Sequence, residues 1–170
     1  ESYFGKTKYD LLDGQVSCNL VFDYLIGKNQ NNLKTFVSKG SCKTGRIKLK
    51  GLDIDKVVND VDNIKDFATL VNVINPKVLK GSSVIQFIEF DFFVENGKFK
   101  IKKGKAFHNN VKLNSFGSFN LLNNDINLKN KAYFKTSKFK KLPPLGINIS
   151  GKIDDYIVKY NFEDLKQELF

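Results

Sequence analysis

The chain has 170 residues, 41% of them hydrophobic and 12 of them glycine, which suffices for the core of one ordinary domain and excludes a disordered tail. Its 28 basic and 18 acidic residues give a net charge of +10, and Arg46 is the only arginine. Charge carried by lysine disfavours a sequence-specific DNA reader, which needs the planar guanidinium fork, and no apolar run of about 18 residues is present to span a bilayer.

Alternation of apolar and polar residues predicts a first strand over residues 14–24. One face of this strand carries Val16, Cys18, Leu20, Phe22 and Tyr24. Residues 27–32 are predicted to be a polar loop, and residues 33–37 a short helical turn. A weaker alternation predicts a second strand over residues 40–50, in which Gly45 marks a bend.

Asp53 opens the one helix that the sequence predicts clearly, because aspartate is a good N-cap. The apolar residues that follow at helical spacing are Ile54, Val57, Val58, Val61 and Ile64. Residues 67–73 are predicted to continue this helix as a second helix or a broken turn. Asn75-Pro76 ends any such helix, since proline disfavours helical geometry in the residue before it. Residues 81–83 are predicted to be a loop.

Strands return in the second half of the chain. Residues 85–95 alternate, and Asn96-Gly97 gives the strongest hairpin signal, because a type I′ turn needs positive φ at both positions. Across this hairpin, Glu89, Asp91 and Glu95 are predicted to lie near Lys98, Lys100 and Lys102. The remaining predicted elements are strands at residues 111–113, 116–122, 126–136, 147–149 and 156–160, a turn at Asn123-Asn124, and a helix at residues 163–169.

Strands spaced by roughly 10–12 residues, with turns between them, predict an antiparallel meander, so the fold class is mainly β with one or two short helices. A single helix with a short apolar stripe is too small to cover so many strands. Either the sheet closes on itself, or part of its apolar face stays exposed as a groove. No change in composition indicates a second domain, and the absence of methionine leads us to expect that residues 1–170 are a fragment of a longer protein.

The sequence contains no catalytic constellation, and we expect no enzyme. His108 is the only histidine and stands in a polar Phe-His-Asn-Asn segment, where a solvated loop residue is the simplest interpretation. Asp53 and Asp55 are better explained by capping of a helix than by paired catalytic carboxylates, and Asp154-Asp155 by a turn. One histidine and two cysteines cannot supply four zinc ligands, and no phosphate-binding glycine motif is present, so we expect no metal and no cofactor.

The two cysteines, Cys18 and Cys42, both fall on predicted strands. They allow a single disulfide, which would require an oxidising compartment. The sequence leaves this pairing and two buried free thiols equally open.

Lys138, Lys140 and Lys141 form the densest basic cluster, immediately before Leu142. The simplest explanation is a solvated strand end. The functional alternative is contact with phospholipid headgroups, to which each nearby lysine adds about 1 kcal/mol. Single-stranded nucleic acid requires aromatic residues on the same face as the lysines, whereas most aromatics here fall on the opposite face, so we expect no nucleic-acid partner.

The order of these elements resembles the C-terminal region of the AsmA family of bacterial envelope proteins. The carrying motif is GSCKTGRIKLKGLDIDKVVNDV at residues 40–61. In that family a glycine strand and a glycine turn precede a Gly-[Ile/Leu]-Asp-[Ile/Leu]-Asp step into a helix. Residues 51–55, Gly-Leu-Asp-Ile-Asp, match this step.

Later elements also follow the family's order. The family's strand–Asn-Gly–strand hairpin is matched by residues 87–101, and its glycine-marked strand with an antiparallel partner by residues 116–119 and 125–134. Its closing proline, short strand and glycine step are matched by residues 142–144 and 149–153, although Asp154-Asp155 stands where the family often has a proline. The resemblance covers about residues 14–160.

The resemblance implies one AsmA-like C-terminal domain with a curved, partly open sheet, shaped like a taco or half-barrel. It also implies a periplasmic location, an anchor in the inner membrane through an N-terminal helix that this fragment lacks, and other envelope proteins as partners. The concave apolar face is expected to carry phospholipid acyl chains between the inner and outer membranes. Lipid transport and outer-membrane biogenesis of this kind need no catalytic residues.

The candidate groove residues are those that alternation places on apolar faces. They are Val16, Leu20, Phe22, Ile88, Phe90, Phe92, Val94, Phe99, Ile101, Phe119, Leu121, Ile126, Leu128 and Phe134. The candidate headgroup contacts are Lys138, Lys140 and Lys141. Whether the face of Phe90 or that of Phe87 and Phe93 lines the groove stays open from the sequence.

Two other functions are compatible with the sequence. One is a closed lipocalin-like barrel that binds a small apolar ligand. The other is a structural or adaptor domain that recruits envelope partners through an exposed sheet edge. The helix that interrupts the meander favours the AsmA-like interpretation over a simple barrel.

Overall fold

The computed structural model describes residues 10–24, 32–50, 53–65, 69, 81–138 and 142–169. Strands make up 63% of the described residues, which form an open antiparallel meander with short helices. The fold class predicted from the alternation is therefore confirmed. The loop predicted at residues 27–32 falls almost entirely outside the described residues. The same holds for the helix predicted at residues 67–73 and for Asn75-Pro76.

The strands are β1 (Asp10–Asp13), β2 (Val16–Tyr24), β3 (Phe36–Thr44), β4 (Ile47–Lys50), β5 (Ser82–Ile85), β6 (Phe87–Glu95), β7 (Lys98–Phe107), β8 (Val111–Asn120), β9 (Asp125–Phe134), β10 (Leu145–Lys152) and β11 (Asp155–Asn161). The helices are α1 (Asn32–Thr35), α2 (Ile54–Asp62) and α3 (Glu163–Leu169).

Eight strands form the main sheet in the order β11-β10-β9-β8-β7-β6-β3-β2, and all neighbours are antiparallel. Apart from the insertion between β3 and β6, strands that follow one another in the chain lie side by side. The first and last strands, β2 and β11, are at opposite edges, so the sheet is not closed. The alternative of a closed lipocalin-like barrel is therefore wrong, because in the described residues β2 pairs only with β3 and β11 only with β10.

A second, smaller sheet of order β1-β4-β5 continues three strands of the main sheet. β1 leads into β2 through Gly14-Gln15, β3 leads into β4 through Gly45-Arg46, and β5 leads into β6 through Gln86. The N–H of Gly45 donates to the carbonyl oxygen of Gln15 (3.0 Å), so neighbouring strands break at the same level. The bend predicted at Gly45 is confirmed.

The boundaries predicted around this break need correction. The helical turn predicted at residues 33–37 is the single turn α1, which ends at Thr35. The strand predicted at residues 40–50 already begins at Phe36, and the break at Gly45 divides it between the two sheets. The pairing of β3 with both β2 and β6 overrides the helical pattern, because it satisfies the backbone of residues that are too few for a stable helix.

Two more predicted boundaries are wrong. The loop at residues 81–83 ends at Gly81, because Ser82 already pairs with Lys50 in the small sheet. The separate strands predicted at residues 111–113 and 116–122 are one strand, β8. Its polar centre does not interrupt pairing, since the hydroxyl of Ser115 donates to Oδ1 of Asn130 on β9 (2.6 Å).

The tight turns agree with the sequence. Asn96 and Gly97 have φ angles of +50° and +70°, as a type I′ hairpin requires. A Cβ atom at Gly97 would also lie 2.6 Å from Cγ of Leu122, so glycine is needed there for space as well as for conformation. Asn124 has φ of +58° in the turn predicted at Asn123-Asn124.

The cross-strand charges of the β6–β7 hairpin are only partly as predicted. Glu95 lies opposite Lys98, but Asp91 lies opposite Lys103 rather than a residue nearer the turn. Glu89 lies opposite Lys105, with the carboxylate and Nζ 3.3 Å apart. The cause is a register shift between Asp91 and Phe92, which the sequence pattern does not reveal.

The helix α2 begins as predicted. Asp53 is its N-cap, and Oδ1 of Asp53 accepts a hydrogen bond from the N–H of Lys56 (2.9 Å). The apolar stripe predicted for the helix faces inward, since Val57, Val58 and Val61 are buried. This places α2 over one end of the main sheet.

Candidate functional site

The candidate groove residues lie on one face of the main sheet. Residues directly opposite in antiparallel strands point to the same face. One such row crosses all eight strands: Leu20, Gly40, Phe92, Ile101, Gly117, Leu128, Ile149 and Val158. We call the face that carries this row the apolar face. Every candidate on a strand belongs to it, and Leu121, in the turn after β8, packs against the same side.

Helices cover one end of the apolar face. Val57, Val61 and Leu165 from α2 and α3 are buried together with Ala132 and Leu145 on β9 and β10. The candidate Phe134 packs against this cluster. It therefore belongs to the core beneath the helices rather than to an open surface.

Phenylalanines cover a second region of the apolar face, on β6 and β7. The rings of Phe92 and Phe99 stack with their centroids 4.9 Å apart, and Phe90 approaches Phe99 edge-on at 6.3 Å. Phe36 and Leu121 pack against the same cluster. Phe36 was missed by the sequence analysis because it fell in the predicted helical turn. The available signal was its position two and four residues before Ser38 and Gly40, which puts it on the same face of an extended strand.

Beyond this cluster the apolar face reaches the edge strand β2 and becomes exposed. Val16, Leu20 and Phe22 have exposed fractions of 61%, 57% and 63%. Phe22 stacks on Phe36 with ring centroids 6.4 Å apart, which makes it continuous with the phenylalanine cluster. We call Val16, Leu20 and Phe22 the exposed margin.

A disulfide joins the exposed margin to the rest of the sheet. Cys18 and Cys42 are directly opposite on β2 and β3, with Cα atoms 4.1 Å apart, and their sulfur atoms are bonded. Of the two possibilities that the sequence left open, the structure has the disulfide. Cys42 is buried beneath the phenylalanine cluster, whereas Cys18 is exposed.

The opposite face of the main sheet is charged. It carries Phe87 and Phe93, but Nζ of Lys43 lies 4.8 Å from the ring centre of Phe87 and Nζ of Lys102 lies 5.4 Å from that of Phe93. A cavity of about 370 Å³ on this side of β2, β3, β6 and β7 is lined mostly by polar and charged residues, among them Lys43, Glu89 and Asp91, together with Cys42 and Phe90. A mostly polar and charged lining suits acyl chains poorly. Of the two faces, the one that carries Phe90 is therefore the better candidate for the groove.

The candidate headgroup lysines are only partly described. Lys138 is exposed, while Lys140 and Lys141 lie outside the described residues. The backbone N–H of Lys138 donates to Oδ1 of Asp62 (3.1 Å), and the N–H and hydroxyl of Ser137 donate to Oδ2 (2.9 and 2.8 Å). Burial raises the pKa of the Asp62 carboxyl, but these hydrogen bonds outweigh it and hold the pKa below its usual value.

His108 is not the solvated loop residue that the sequence suggested. Its side chain is 5% exposed, and Nε2 lies 3.7 Å from Oδ2 of Asp55. Nδ1 accepts the N–H of Asn110 (3.3 Å), and Nδ2 of Asn110 donates to Oδ1 of Asp55 (3.0 Å). The first turn of α2 lies against the turn between β7 and β8, which explains the burial. These contacts connect a helix to a hairpin and include no nucleophile.

Within the described residues, no group of three or more histidine, cysteine, aspartate or glutamate side chains could hold a metal ion. The same part of the chain contains no helix with the length and apolar character to cross a membrane. No protein family, curated protein or solved structure matches the chain. The AsmA-like resemblance therefore stays a prediction from the sequence.

Proposed function

We propose that this chain is a non-catalytic lipid-binding domain of the AsmA type, whose apolar face carries phospholipid acyl chains between the inner and outer membranes. In this proposal the domain works in the periplasm, in a protein anchored to the inner membrane, alongside other envelope proteins. The supporting observation is the row of mostly apolar residues from Leu20 to Val158 on an open sheet, which ends in an exposed margin.

The chemistry of the apolar face suits acyl chains. These chains need continuous apolar surface and no directional contacts, and burial stabilises them by about 25 cal/mol per Å², or about 0.8 kcal/mol per methylene. The exposed margin and Phe36 offer such surface beside the buried Phe92. Contiguous exposed apolar side chains in a soluble domain mark interaction sites.

The open edge of the sheet also favours a lipid over a small enclosed ligand. A closed barrel surrounds one small molecule, whereas an open face lets acyl chains lie on the sheet while the headgroup stays in water. Lys138 is exposed near the covered end, and the proposal keeps it with Lys140 and Lys141 as contacts for anionic headgroups.

In the described part of the chain no strand pairs with the outer edge of β2, which favours one second candidate function, an adaptor that binds an envelope protein by adding a strand. The close Cα spacing of Cys18 and Cys42 is that of a non-hydrogen-bonded pair, so Cys18, Leu20 and Phe22 direct their N–H and C=O groups away from β3. β2 has nine residues, no proline and one charged residue, Asp23, so its own sequence carries little of the proline and charge that discourage strand addition at an edge.

Native mass spectrometry of protein purified from bacterial membranes tests the lipid proposal. We expect adducts with the masses of phospholipids and a lower melting temperature after delipidation. Protein without lipid, with a melting temperature unaffected by delipidation, would overturn the proposal. Co-purification of an envelope protein that is lost with Leu20→Pro, in the absence of lipid, would support the adaptor instead. Leu20→Pro removes an outward N–H and spares the pairing of β2 with β3.

A further inference from the structure

Five lysines form a cluster on the charged face, behind the apolar face. They are Lys100 and Lys102 on β7, Lys112 on β8, and Lys129 and Lys131 on β9. All five are exposed, and the strands that carry them are neighbours in the main sheet. We call these five residues the basic patch.

The basic patch has no carboxylate opposite it in the strand pairing. Lys100 lies opposite Phe93 and Ser118, Lys112 opposite Phe107 and Tyr133, Lys129 opposite Phe116 and Asn148, Lys131 opposite Asn114 and Gly146, and Lys102 is at a register shift. The lysines next to β6 are different, because Lys98, Lys103 and Lys105 lie opposite Glu95, Asp91 and Glu89. The positive charge of the basic patch is therefore not balanced across the strands.

An exposed aromatic ring lies inside the basic patch. Phe116 is 48% exposed and lies opposite Lys129, beside the register shift that contains Lys102. Tyr133, at 36% exposed, lies opposite Lys112. Most aromatics lie on the other face, as alternation predicts, but the exceptions surround these lysines.

We infer that the basic patch docks the domain on an anionic membrane surface, with the lysines against the headgroups and the ring of Phe116 in the interfacial layer. Lysine is a hydrated point charge that suits a diffuse layer of anionic headgroups, and an apolar aromatic ring can insert at the boundary between headgroups and acyl chains. This inference extends the proposed function to the opposite face of the sheet. Adsorption to a vesicle requires no groove, so an experiment can contradict membrane docking without contradicting lipid carriage, and the reverse.

The pattern fits a membrane better than a nucleic acid. A single-stranded nucleic acid needs a row of open rings on which successive bases can stack. Here Lys102 and Lys112 lie over Phe93 and Phe107, with Nζ 5.4 and 5.7 Å from the ring centres. Those rings are therefore capped, which leaves Phe116 and Tyr133 on neighbouring strands as separate insertion groups rather than as a stacking platform.

Co-sedimentation with phospholipid vesicles tests this inference. We expect binding to vesicles that contain about one-third phosphatidylglycerol, weak binding to pure phosphatidylcholine, and loss of binding as salt rises from about 0.1 M to 1 M. Each patch lysine should contribute about fivefold, so Lys100→Gln, Lys129→Gln and Lys131→Gln together should weaken binding about 100-fold. Phe116→Ser should weaken binding at about 0.1 M salt and leave the dependence of binding on salt unchanged.

The matched control is Lys48→Gln, Lys56→Gln and Lys65→Gln, which removes the same charge from exposed positions outside the main sheet. We expect this variant to bind almost as well as the parent chain. Equal losses in the two triple variants would overturn the inference, because net charge alone would then explain binding. Tighter, patch-dependent binding to a labelled single-stranded oligonucleotide than to anionic vesicles would overturn it in favour of nucleic acid. Apolar-face variants that lose acyl-chain contact should still sediment.

Discussion

The ring of Phe92 on β6 lies over Gly40 on β3. The two residues are directly opposite in the sheet, and a Cβ atom at Gly40 would come within 3.1 Å of the ring. Glycine thus gives Phe92 the room to lie across β3 and to stack on Phe99. This packing links the edge hairpin β2–β3 to the centre of the apolar face.

Gly40→Ala is expected to destabilise the fold by about 1–3 kcal/mol, the usual range for overpacking. The added methyl would meet both the Phe92 ring and the carbonyl oxygen of Asn19. Urea unfolding measures the change. Gly45→Ala is the control, because no atom lies within 4 Å of the Cβ position there, and its stability should equal or exceed that of the parent chain. Equal stability of the two variants would contradict this packing.

The alternating pattern predicted the faces of the strands better than the residues at which the strands begin and end. Alternation fixed which side chains share a face, because a period of two leaves no other choice on a paired strand. Boundaries at Phe36 and Ser82 were missed, since both depend on partners far away in the sequence. The same limit applies to the register shift at Phe92, which decides which lysines face the acids of β6.

The Cys18–Cys42 disulfide is expected to stabilise the edge of the sheet. It closes a loop with a sequence separation of 24, for which the chain-entropy account gives about 3.5 kcal/mol. Thermal unfolding with and without a reductant checks this. The melting temperature should fall on reduction in the parent chain and not change in the double variant Cys18→Ser, Cys42→Ser. A parent chain with fully reduced thiols and an unchanged melting temperature would contradict the prediction.

The hydrogen bonds between Asp62 on α2 and the segment after β9 are expected to make a contribution to stability that depends on pH. The pKa of Asp62 is lower in the folded state than in the unfolded chain, so its contribution is complete above the usual carboxyl pKa. That contribution is lost as the pH falls through the lowered value. Asp62→Asn should reduce stability at neutral pH and flatten the acidic part of the stability profile.

Unfolding free energies at neutral and acidic pH test this prediction. Asp60→Asn is the control, because Asp60 contacts Lys56 within the exposed helix surface and does not reach Ser137. If Asp62→Asn and the parent chain lose the same stability between neutral and acidic pH, the hydrogen bonds from Ser137 and Lys138 are not the source of the dependence.

The sequence predicted which residues lie on the apolar face better than it predicted which of them are exposed. Alternation selected Phe22, Phe92 and Phe134 alike, yet Phe92 is 7% exposed, Phe134 packs beneath the helices, and only Phe22 is mostly exposed. Sequence cannot separate these cases, because burial depends on where α2 and α3 lie. His108 was misjudged for the same reason, since α2 covers its turn.

Cross-linking to a photoactivatable phospholipid tests the central claim most directly, with Phe22→Asp as the variant. An exposed aspartate should leave the fold intact, whereas aspartate at the buried Phe92 would unfold it. Val21→Asp is the control, because Val21 is 60% exposed on the same strand and points to the opposite face. We predict that Phe22→Asp loses most of the cross-linking and that Val21→Asp retains it. Equal cross-linking of both folded variants would contradict lipid binding on the apolar face.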